Sequence, residues 1–112
     1  MKVIIEEFGE VRQARVEGKI NSLTAPEFEI ELEKALQGEP RHLIVNLAQV
    51  DFLSSAGLRS ILRIAKRLEK KELRLAFAGA QNLVAEVVRI SGVDSLFPLC
   101  TTPQEARERL LA

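Results

Sequence analysis

Phe52-Leu53-Ser54-Ser55-Ala56-Gly57-Leu58 joins two patterns that together decide the fold. Before it lies His42-Leu43-Ile44-Val45-Asn46-Leu47, a nearly continuous apolar run that suits a central parallel strand covered on both faces. After it, Leu58, Ile61, Leu62, Ala65 and Leu68 recur at i, i+3, i+4, i+7 and i+10, the stripe of a helix facing a core. Strand, hydroxyl-bearing turn and amphipathic helix make the first half of a parallel crossover unit. A helix start leaves backbone N–H groups unpaired and carries about half a positive charge. A phosphate added to a hydroxyl there would be well placed and would bring about −1.5 to −2 units of charge. The turn therefore reads as a place where a surface can be switched rather than as a catalytic device.

The same alternation extends in both directions. Val3–Phe8 and Val11–Val16 flank Gly9-Glu10 and predict a β-hairpin. Thr24-Ala25-Pro26-Glu27 has the spacing of a capping box with Pro in the first turn. The helix it predicts buries Phe28, Leu32, Ala35 and Leu36, turns Glu29, Glu31 and Glu33 to solvent, and ends at Gly38-Glu39-Pro40. Downstream, Leu73–Ala78 predicts a buried strand. Asn82–Ile90 predicts a helix with Leu83, Val84, Val87 and Val88 inward and Gly92 as its C-terminal cap. Leu96–Cys100 predicts a last strand, and Thr102-Pro103-Gln104-Glu105 opens a final helix to about Leu111. The order is β-β-α-β-α-β-α-β-α: an α/β sheet, mostly parallel, with an antiparallel N-terminal hairpin strand.

Bulk composition narrows the classes of function. The 112 residues suffice for one domain with its own core, read as residues 1–112. Sixteen acidic and sixteen basic residues cancel, so no overall field draws the chain to nucleic acid or to a membrane. Tyr and Trp are absent, which argues further against base stacking. The N-terminus, Met1-Lys2-Val3-Ile4-Ile5-Glu6-Glu7, has too short an apolar run for a signal peptide, and no run approaches the ~20 residues of a membrane span. A single cysteine, Cys100, cannot close an internal disulfide or anchor a metal cluster. These features predict a cytoplasmic protein without a cofactor.

Several segments, in this order, resemble the STAS domain, the fold of bacterial anti-sigma factor antagonists. They are Gly18-Lys19-Ile20-Asn21-Ser22-Leu23-Thr24-Ala25, then Leu43–Leu47 with Val50-Asp51-Phe52-Leu53-Ser54-Ser55-Ala56-Gly57-Leu58. Arg89-Ile90-Ser91-Gly92-Val93-Asp94-Ser95-Leu96-Phe97 and a helix opening Thr102-Pro103-Gln104-Glu105-Ala106 complete the set. The resemblance spans nearly the whole chain. It implies a protein that, unmodified, binds an anti-sigma factor, often itself a serine-protein kinase, and so frees a sigma factor or other target. It implies that the kinase phosphorylates a serine at the start of the second helix, breaking the complex, and that a PP2C-type phosphatase restores it.

Carried onto these residues, the resemblance assigns the phosphoacceptor to Ser55. Ser54 and Asn21 stand where Asp is common in the family, which leaves the surroundings of the acceptor less acidic and less repulsive to phosphate. From spacing alone both serines would read as helix caps, and Ser54 keeps that reading. Gly57 costs a helix about 1 kcal/mol relative to Ala. Either tight packing or close approach of a partner to Ser55 would account for it. Asp51 fits turn chemistry better than a metal site.

The expected docking surface combines the loops Gly18–Thr24 and Val50–Ser55 with the outer face of the following helix. Phe52, Leu53 and Ala56 are its apolar candidates, Phe52 being equally suited to the core, and Arg59 and Arg63 its cations. Arg59, Arg63, Lys66, Arg67, Lys70 and Lys71 all lie off the apolar stripe, as a solvated face or as a patch for an acidic partner. A serine hydrolase is disfavoured. The only histidine, His42, enters the strand whose exit precedes Ser55, about five extended residues away, and no G-x-S-x-G elbow is present. The alternative of another class is an unphosphorylated accessory subunit of a lipid-type ABC transporter, or a signalling scaffold, in which the serines only cap.

Overall fold

A computed structural model describes residues 1–112. Lys2–Phe8 (β1) and Val11–Ile20 (β2) form the antiparallel hairpin, with Phe8 opposite Val11. Ala25–Lys34 (α1), Leu43–Leu53 (β3), Ser55–Glu69 (α2), Leu75–Ala78 (β4) and Asn82–Ser91 (α3) follow. A single 3-10 turn at Val93–Ser95, the short strand Leu99–Cys100 (β5) and Pro103–Leu111 (α4) complete the chain. The sheet runs β1-β2-β3-β4-β5, parallel from β2 onward. No helix is long and apolar enough to cross a membrane.

Stepping one way across a parallel sheet by right-handed crossovers places every crossover helix on one face. Accordingly Phe28 and Leu32 of α1, Leu58, Ile61 and Ile64 of α2, and Val84 and Val88 of α3 share one core with Val16, Ile20, Val45, Leu47 and Phe77. On the opposite face, Ala106 and Leu110 of α4 cover Val11, Ile44, Ala76 and Cys100. Leu43 and Ile44 pointing to different clusters is the pleat at work: β3 is apolar on both sides because both sides are covered.

Several expectations need correction. β3 does not stop at Leu47 but continues to Leu53, and β2 continues to Ile20. Register against β2 jumps twice: Arg15 faces Asn46 but Glu17 faces Gln49, and Gly18 faces Val50 but Lys19 faces Phe52. Each jump inserts one extra residue in β3, a bulge that re-phases the side chains. Leu47, Val50 and Leu53 thus all reach the core at a spacing of three, which strict alternation would forbid. β4 and β5 are shorter than expected, and Leu96 is exposed before β5 begins. In α3, Ala85 is buried and Leu83 is 75% exposed, reversing the expected inward position of Leu83.

The two expected capping boxes also diverge. At α4, Thr102 Oγ1 accepts the Glu105 N–H, and the Glu105 carboxylate accepts from Thr101 N–H. At α1, Thr24 makes no cap bond and is itself in the helical region of backbone space. Its hydroxyl instead donates to the Lys19 carbonyl and accepts from the Asn21 N–H.

Candidate functional site

Leu53 ends β3 and Ser54 turns the chain into α2 with no intervening loop. Three bonds pin that turn. The Ser54 N–H donates to the Ile20 carbonyl at 2.8 Å, tying it to the end of β2. The Ser54 side chain accepts from the Gly57 N–H at 3.2 Å, and its carbonyl takes the Leu58 N–H at 3.1 Å. Ser54 has the extended backbone of an N-cap and fills that role, as its residue type favours. Ser55, the first helical residue, is left with its side chain exposed. The first turn of α2 contains no acidic residue, so no side chain of that turn offsets the positive end of the helix.

Asn21 is brought beside this turn by the chain that continues from Ile20. Its side-chain carbonyl accepts from the Leu23 and Thr24 N–H groups at 2.9 and 3.0 Å, closing the connection from β2 to α1. Asn performs this Asx-type closure without a net charge. Asp51 lies within β3, not in a turn, and is exposed; its carboxylate pairs with Lys19 at 3.4 Å across the two strand ends.

The apolar candidates separate. Phe52 is 46% exposed and Ala56 is partly exposed, whereas Leu53 is 3% exposed and packs in the main core. Leu53 therefore cannot be a docking residue: the second bulge turns it inward. Sequence inspection missed Leu23, which is 88% exposed in the Asn21–Thr24 connection. Its signal was present, an apolar residue inside a turn between two elements. Gly57 is buried, and a Cβ built there would stand 2.6 Å from Ile20 Cγ2 and 2.8 Å from Leu53 Cδ1. The absent side chain faces the core, not the outside.

Along α2 the cations also separate. Arg63 makes a two-pronged contact with Glu29 of α1, Nε and Nη2 lying 2.7–3.0 Å from its carboxylate oxygens. Arg67 pairs with Glu33 at 2.7 Å. Glu29 and Glu33 are thus committed to α2 rather than simply solvated. The hydrogen bond from Arg63 holds the Glu29 carboxyl below its ordinary value and raises Arg63 in turn. Arg59 is exposed.

The groups that could suggest catalysis lie elsewhere. His42 precedes β3, and its Nδ1 accepts from the Arg74 N–H at 2.9 Å. Ser55 follows the far end of that strand. Eleven residues of strand, not five, separate them, on the order of 30 Å at ~3.3 Å per residue. Cys100 is buried under α4, and that burial pushes its thiol above the ordinary range, the direction of an unreactive sulfur.

A family model described as the STAS domain matches residues 2–106. BtrV of Bordetella bronchiseptica, whose name places it among anti-sigma factor antagonists, is 32% identical over 106 residues, covering 95% of this chain and 91% of that protein. The crystal structure of an anti-sigma factor antagonist from Mycobacterium paratuberculosis superposes with a TM-score of 0.90 at 25% identity, covering 99% of this chain and 94% of the other. The Bacillus cell fate determinant SpoIIAA in its phosphorylated form shares the fold, with a TM-score of 0.71 at 21% identity over 96% of this chain and 98% of its own. With a sheet in this order, three crossover helices on one face and a serine-capped turn into α2, the chain belongs to the STAS domain family.

Proposed function

We propose that this protein is an anti-sigma factor antagonist whose binding is toggled at Ser55. Unmodified, it docks an anti-sigma factor that is also a serine-protein kinase and thereby releases the sigma factor or other target. The observation that carries this reading is the division of labour between adjacent serines: Ser54 caps α2, while the Ser55 hydroxyl stays exposed one residue on. Phe52, Leu23 and Ala56 supply the apolar part of the surface, with Arg59 as a cation at its edge.

In the modifying step the Ser55 Oγ attacks the terminal phosphorus of ATP held by the kinase. The new O–P bond replaces the bond to the ADP oxygen, ADP leaves, and the hydroxyl proton passes to a base of the kinase. The resulting group, near −2, would lie in a contact from which water is excluded. Repulsion and desolvation then expel the partner. A hundredfold loss of affinity corresponds to only ~2.7 kcal/mol. A PP2C-type phosphatase hydrolyses the ester and resets the surface.

The test is to incubate the protein with the kinase-type anti-sigma factor of its own host and ATP, and to map phosphoserine by mass spectrometry. Modification should fall on Ser55, Ser55→Ala should bind normally and stay unmodified, and Ser55→Asp should bind about a hundredfold more weakly. Normal binding by the wild type with Ser55 left bare, or equal affinities for the two variants, would end the reading.

A further inference from the structure

The ion pairs between α1 and α2 form a ladder with a missing rung. Glu29 meets Arg63 and Glu33 meets Arg67, so both helices advance by four residues per rung in the same direction. One step back, the partner of Arg59 would be residue 25, which is a buried alanine. The Ser60 hydroxyl donates to the Ala25 carbonyl at 3.3 Å, which places that residue beside this turn of α2. Arg59 is therefore the α2 arginine left without its cross-helix carboxylate. Four residues earlier on the same helix stands Ser55, and both side chains are exposed.

We propose that Arg59 is the intramolecular partner of the phosphoryl group on Ser55. This rests on Ser55 being the modified residue. Residues four apart are neighbours on a helix surface, and an acid N-terminal to a base is the favoured orientation. The planar fork of Arg fits two phosphate oxygens at once. The other charges nearby are already engaged or of the wrong sign. Lys19 is paired with Asp51, Arg63 with Glu29, and Glu27 in the first turn of α1 is acidic.

Phosphorylation then does two things to the docking surface. It adds a dianion, and it captures the guanidinium that the unmodified form offers to an acidic partner. The Ser55–Arg59 pair passes from about +1 to between about −0.5 and −1.

The experiment uses the full chain with phosphoserine installed at position 55 during translation, so that no kinase is required. Phosphorus NMR reads the second ionisation of the phosphate against pH. Arg59→Gln should raise that pKa by about half a unit, and Arg59→Lys should restore part of the difference. Lys66→Gln, which removes one charge roughly three turns away, should leave it in place. Identical titrations for wild type and Arg59→Gln, or an equal displacement in Lys66→Gln, would overturn the pairing while leaving Ser55 as the acceptor. Failure of the kinase to modify Ser55 in the separate assay would instead overturn the switch, and the role of Arg59 with it.

Discussion

Gly57 lies so close to Ile20 that a Cβ on the glycine would fall 2.6 Å from the isoleucine Cγ2. A helix normally gains about 1 kcal/mol when Gly becomes Ala. Here the added methyl would also meet Leu53 Cδ1 at 2.8 Å, within a core whose β-branched Ile20 has little rotamer freedom. Overpacking of this kind costs about 1–3 kcal/mol. Gly57→Ala should therefore lower stability by a net ~1 kcal/mol in urea unfolding. A variant more stable than wild type would show that the core accommodates the methyl and that tight packing does not account for the glycine.

Leu53 and Phe52 are adjacent yet belong to different problems. Leu53→Ala empties a core position and should cost about 2–5 kcal/mol of stability. Phe52→Ala removes a half-exposed ring and should leave the unfolding midpoint nearly unchanged while weakening partner binding. Calorimetric titration with the anti-sigma factor, alongside unfolding curves, separates the two. If Phe52→Ala binds like wild type, the aromatic ring is not part of the docking surface.

How much was legible beforehand follows from which signals are local. The hairpin glycine, the α2 stripe and the Thr102–Glu105 cap act within a few residues, so the element order and the α/β class were readable. Ser55 was readable as the second of two hydroxyls at a helix start, and the resemblance then singled it out. The length of β3 was not readable, because its two bulges break the period on which strand recognition depends, and they alone turn Leu53 inward. The commitment of Arg63 and Arg67 to Glu29 and Glu33 was equally hidden, since residues 34 apart in sequence meet only once α1 and α2 pack side by side.

Arg12 shows how such a non-local contact can hold the scaffold. Its guanidinium is almost fully buried and donates to three main-chain carbonyls, Ala35 at 2.7 Å, Gln37 at 3.0 Å and Glu39 at 2.9 Å, while Nε reaches Glu7 at 2.8 Å. It fastens the hairpin to the end of α1 and to the connection into β3. Removing it leaves carbonyls unpaired, so Arg12→Met should cost about 3 kcal/mol. Arg12→Lys keeps the charge but not the fork and should recover only part. Hydrogen exchange should show the loss of protection concentrated at residues 35–40; a uniform loss would count against the fastening role.

His42 gives the molecule a pH dependence whose sign can be fixed. Burial, reinforced by the Arg74 cation, holds its imidazole below the ordinary 6.5, and its Nδ1 must stay unprotonated to accept the Arg74 N–H. As pH falls below 6.5 the unfolded chain takes up the proton first. The stability that His42 contributes is therefore complete above the unfolded value and is lost as pH falls through the folded one. Carboxylates such as Glu29, held low by Arg63, contribute only at more acidic pH. As this is the sole histidine, the difference between wild type and His42→Gln in the slope of Tm between about pH 5.5 and 7 reports on it. Tm should rise with pH across that interval in the wild type and be flatter in His42→Gln. Equal slopes would mean that the imidazole titrates alike in the folded and unfolded chain, and that the bond to Arg74 does not persist in solution.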